Sequence, residues 1–74
     1  MKKSKYEAKM LRREYNKRVG EMNRIRSELQ CAYSVFNSTT DPDIMDACIF
    51  EISALKSRYN YAVNSVRQLD ISLN

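Results

Sequence analysis

The chain has 74 residues, 43% of them hydrophobic and 30% charged, with a formal net charge of +4. That length makes one domain at most, here residues 1–74, and buries a smaller share of its surface than an ordinary domain does. One Gly, one Pro and no low-complexity run exclude a disordered linker, and no stretch approaches the roughly 18 consecutive apolar residues that span a membrane.

The opening Met1-Lys2-Lys3-Ser4-Lys5 leads into charged sequence rather than an apolar signal segment, so the expectation is a soluble, cytoplasmic protein. From Ala8 onward, apolar residues recur with a heptad period, whose positions are labelled a to g. Position a takes Ala8, Tyr15, Met22, Leu29 and Phe36, and position d takes Leu11, Arg18, Ile25 and Ala32. This spacing predicts a helix over about 4–37. Glu7, Glu14, Glu21 and Glu28 recur at g, and Glu14 with Arg18 and Glu21 with Arg24 have the spacing of helix-surface ion pairs. Gly20 falls at an f position, where it costs helix propensity but opens no hole in the stripe.

Asn37 to Thr40 are short polar residues that compete with helical backbone bonding, which predicts a turn over about 38–41. Asp41 then suits an N-cap, and Pro42 suits the first helical position, where its missing N–H costs nothing. Asp43 and Asp46 put negative charge at the positive end of the new helix. Thr40 with Asp43 has capping-box spacing, an alternative that moves the start by one residue. The second helix is predicted over about 42–70, with Met45, Ile52, Tyr59, Val66 and Leu73 at a and Cys48, Leu55, Ala62 and Leu69 at d. Of these 18 a and d positions, 17 are apolar or Tyr, and Arg18 is the exception.

Two such helices joined by so short a turn must be antiparallel neighbours. The expected fold is therefore all-α, an antiparallel coiled-coil hairpin. A single two-helix seam leaves much apolar surface open, so self-association into a four-helix assembly, or a protein client, would complete the burial. Two registers fit the heptads: one sets Arg18 beside Tyr59, the other beside Val66. The first is preferred, since it stacks the guanidinium on the phenol ring and leaves its head at the seam edge.

Apolar residues outside the stripe concentrate near the turn: Tyr33, Val35, Ile44, Ile49 and Phe50. They either widen the seam, as e and g residues often do, or form an interface to a second copy or another protein. Phe50, at f, is the hardest to explain within one hairpin. Tyr59 at a reads as core with its hydroxyl at the seam edge, whereas Tyr61 at c, beside Arg58, reads as surface.

Chemistry is poorly represented. With no His, no Gly-rich phosphate loop and no activating base near either cysteine, nothing points to an enzyme, a small-molecule substrate or a cofactor. Cys31 and Cys48 lack metal-ligand spacing; Cys48 at d reads as a small core residue, Cys31 at c points elsewhere, and a bridge between them is disfavoured. Charge is uneven. Residues 1–30 hold ten Lys or Arg against four Glu, whereas residues 31–74 carry a balance of −2. Lys9, Arg12, Arg13, Lys17, Arg24 and Arg26 lie off the stripe and could follow a nucleic-acid backbone, with Tyr6 available for stacking. A solvated mixed-charge flank predicts nearly the same residues, and binding of the basic half to an anionic membrane surface is a further alternative.

The stretch Ala32-Tyr33-Ser34-Val35-Phe36-Asn37, then Thr40-Asp41-Pro42-Asp43-Ile44-Met45-Asp46-Ala47-Cys48-Ile49-Phe50-Glu51 and Arg58-Tyr59-Asn60-Tyr61, resembles the YaaL-like small proteins of spore-forming Gram-positive bacteria. The resemblance covers about residues 28–66. It departs from the family pattern at Tyr33, where Trp is usual, and at Met45-Asp46-Ala47, where an apolar residue followed by Asp-Tyr is usual. What it implies is a short cytoplasmic helical protein with no assigned activity. Genes of the family often lie near a recombination-repair gene and a sporulation-control gene, which favours nucleic acid by association only.

Overall fold

The structure, a computed structural model that describes residues 4–73, is a hairpin of two helices, α1 (Lys5–Ser38) and α2 (Pro42–Leu73), packed side by side in a body 58 Å long. α1 begins where Ser4 caps it: the Ser4 hydroxyl accepts the Glu7 N–H at 3.1 Å, and the Ser4 carbonyl accepts the Ala8 N–H. Glu7 also puts negative charge in the first turn, where the helix end is positive. The helix then continues unbroken through Gly20.

The turn is closed by short polar side chains together with backbone bonds. Thr39 is extended (φ −86°, ψ 148°) and its N–H reaches back to the Val35 carbonyl at 3.0 Å, ending α1. The Thr39 hydroxyl accepts the Asp41 N–H at 3.1 Å. Asp41 in turn caps α2, its carboxylate accepting the Asp43 N–H at 2.9 Å and its carbonyl the Met45 N–H. Asp41 rather than Thr40 is thus the cap, and Pro42 is the first helical residue. No described residue, Gly20 included, has positive φ, so the reversal needs no left-handed position.

α2 runs to Leu73, three residues past the expected end. Leu73 occupies the next a position and lies half-buried beside Arg12, Tyr15 and Asn16 of α1, which gives the last turn something to pack on.

The seam is lopsided. The buried residues among those described are Ile25, Ala32, Cys48, Leu55, Ala62 and Leu69, and all of them are d positions. Every a position is half-buried. The small d residues Ala32, Cys48 and Ala62 fit on the line between the axes, while Met22, Leu29, Ile52 and Tyr59 pack alongside the buried cluster. The hairpin therefore has two unlike long faces: one lined by a and e side chains, the other by d and g side chains.

The register differs from the preferred one. Arg18 lies beside Ser65 and not Tyr59, donating from Nη1 to the Ser65 carbonyl at 3.1 Å and from Nε to Glu14 at 3.0 Å. Its neighbourhood is that of the second register, next to Val66. The stacked guanidinium belongs to Arg26, 5.9 Å from the Tyr59 ring centre and donating to the Tyr59 hydroxyl at 3.2 Å. A slip of one heptad to the other register would put Phe36 opposite Asp41, off the end of α2. As folded, Phe36 lies against Ile49 and Ile52. One half-buried aromatic outweighs one exposed cation–π contact, which Arg26 supplies in any case.

On the outside of α1, Arg24 bridges Glu21 (2.9 Å) and Glu28 (2.7 Å), a three-residue ladder that solvent screens. The hydrogen bond that Arg24 donates to Glu21, then the charges of both carboxylates, raise the Arg24 pKa above its ordinary value.

A Cβ built on Gly20 would meet nothing within 4 Å. Gly20→Ala should therefore stabilise the hairpin by about 0.8–1 kcal/mol in urea unfolding. A neutral or destabilising result would show that α1 is not a continuous helix there.

Candidate functional site

The turn-proximal apolar residues are all exposed, but they do not form one patch. Tyr33 and Ile49, both at e, come together on the a/e face around a shallow groove whose other walls are Phe36, Ile52, Ser53 and Lys56. The Lys56 ammonium sits 5.8 Å from the Tyr33 ring centre. Tyr33 and Ile49 remain 38% and 52% exposed, so the groove floor is apolar and open. Val35 and Ile44, at g, lie on the opposite long face. Phe50 points away from both faces, on the outer side of α2, and is 76% exposed.

Sequence reasoning missed the contribution of Phe36 and Ile52 because it treated a and d positions as equally covered. The signal was present in the side-chain sizes. Bulky a residues beside small d residues cannot all fit between two axes.

The six candidate basic residues of α1, Lys9, Arg12, Arg13, Lys17, Arg24 and Arg26, are all exposed, but their surroundings differ. Arg24 is held by Glu21 and Glu28, and Arg26 by Tyr59. Lys17 shares the d/g face with Glu14 and Glu21. Lys9, Arg12, Arg13 and Lys17 make no ion pair within the hairpin, and they cover the outer surface of the first four turns.

Cys31 is exposed, Cys48 is buried, and both are free thiols. Among the described residues no group of three Cys, Asp or Glu side chains converges as a metal would require, and no helix is long and apolar enough to cross a membrane. Asp41, the most suggestive carboxylate in the sequence, spends its oxygen on the Asp43 amide.

Comparison with protein-family models, with curated proteins and with solved structures finds no match to this chain. Its function must accordingly be argued from its own surfaces.

Proposed function

We propose that the protein is a small, non-enzymatic helical interaction protein that binds through its turn-proximal apolar surface and self-associates into a four-helix assembly. The carrying observation is the open groove of Tyr33, Phe36, Ile49 and Ile52, an apolar surface near the turn that the hairpin itself leaves uncovered. The lopsided seam supports the same reading, because half-covered a side chains gain further burial from another helix. A cytoplasmic setting belongs to this reading, since an exposed free Cys31 persists in a reducing compartment. The YaaL-like resemblance agrees with it and adds no activity.

A second reading, nucleic-acid binding by the N-terminal half of α1, is favoured by the four unpaired cations Lys9, Arg12, Arg13 and Lys17.

The first reading is tested by affinity capture from native cells with the wild type and with Tyr33→Glu/Ile49→Glu, each with and without nuclease. Protein partners that survive nuclease and vanish with the double variant are expected; equal capture by both proteins would refute it. For the second reading, binding to labelled duplex DNA should weaken with salt at a logarithmic slope of about −3 to −4, set by four phosphate contacts. Arg12→Gln/Arg13→Gln should flatten that slope while Arg24→Gln leaves it unchanged. A slope near zero removes the nucleic-acid reading.

A further inference from the structure

Helix α2 carries a second stripe of 3–4 spacing outside the seam, at positions c and f, of which Tyr61 also borders Glu14 and Arg18 of α1 on the d/g face. From Ala47 through Phe50, Ala54, Ser57 and Tyr61 to Ile71, not one of its residues is charged. The outward face of a helix in a lone hairpin should be its most polar. Here Phe50, Tyr61 and Ile71 are 76%, 78% and 76% exposed. The charges lie along the two rims instead. Asp46 and Arg67 flank the stripe at b on one edge, and Glu51 and Arg58 flank it at g on the other. All four are exposed, and within the hairpin none makes a hydrogen bond or ion pair.

On each rim the acid precedes the base, and this order selects a partner. We infer that the stripe is the contact between two copies of this chain, with the two α2 helices packed antiparallel about a two-fold axis. This rests on the self-association proposed above and names its face, orientation and register. Antiparallel pairing sets Phe50 against the second copy's Tyr61 and Ala54 against its Ser57, so small residues at the crossing let the axes approach while aromatic pairs close both ends. The same register brings Glu51 opposite the second copy's Arg58 on one rim, and Asp46 opposite its Arg67 on the other. A slip of one heptad in either direction places Glu51 against its own counterpart, or Arg58 against its own. Parallel pairing sets Asp46 beside the second copy's Glu51 and leaves Arg58 and Arg67 with no acid opposite. This arrangement satisfies the rims and the stripe from Ala47 to Asn64, leaving Ile71 beyond the start of the second copy's α2, and it is isologous, as a closed dimer requires. A foreign helix would need to reproduce this charge order to fit as well. The outcome is a four-helix layer with the α2 pair in the middle and the Tyr33–Ile49 groove of each copy left outside the contact.

The test is sedimentation equilibrium of the purified full chain with Glu51→Lys and Arg58→Glu, using circular dichroism to check that each stays helical. Each variant alone faces two like-charge contacts and should dimerise at least about tenfold more weakly than wild type. An equimolar mixture should recover near wild-type affinity as a heterodimer, because lysine at 51 in one copy then meets glutamate at 58 in the other. Dimers indifferent to both variants, or a mixture that is not rescued, would overturn the proposed face. If such dimers are instead lost on Ile49→Glu, the groove reading survives while this one fails. A wild type that stays monomeric throughout removes self-association altogether.

Discussion

Everything in this molecule depends on how little a two-helix seam can cover. Two cylinders in contact share one line, and side chains on that line are buried while those a turn away are only shaded. Here the line is occupied by Ile25, Ala32, Cys48, Leu55, Ala62 and Leu69. No side chain among the described residues is fully enclosed. The bulky a residues therefore emerge on one long face with their e neighbours, and Glu14, Glu21 and Arg18 gather on the other. Surface chemistry, and with it function, is set by that division.

The Arg18 site shows how the fold absorbs a charge in its stripe. A guanidinium at a d position would be costly if enclosed. It is tolerated because the seam is open at the g edge, where Glu14 and the Ser65 carbonyl supply acceptors. The same openness near the turn leaves Tyr33, Phe36, Ile49 and Ile52 as a groove. Polar residues exploit one gap in the seam and apolar residues line the other, so the polar gap is already satisfied while the apolar one stays open.

The helices and the turn were legible in the sequence because their determinants are local: heptad spacing, the short polar run, and Asp41 before Pro42. The Ser4 cap was equally local but was passed over. Register was not legible, since Arg18 offered plausible neighbours in both alternatives, and the deciding fact is the distant requirement that Phe36 find α2 beside it. The candidate surface was read as one patch because five apolar residues cluster in sequence near the turn. Helical geometry divides them among three directions. Phe50, the residue that fitted least well, was a sign of the uncharged c/f stripe, which seven-residue counting from Ala47 displays without any structure.

The central claim is that the hairpin's own seam is too thin to be the whole of its stability, and that burial between chains supplies the rest. Urea unfolding followed at protein concentrations from about 1 to 100 μM measures this directly, because association with the native state alone couples stability to concentration by mass action. The account predicts a midpoint that climbs steadily with concentration. A midpoint constant across that range would show a hairpin that is self-sufficient, and would contradict it.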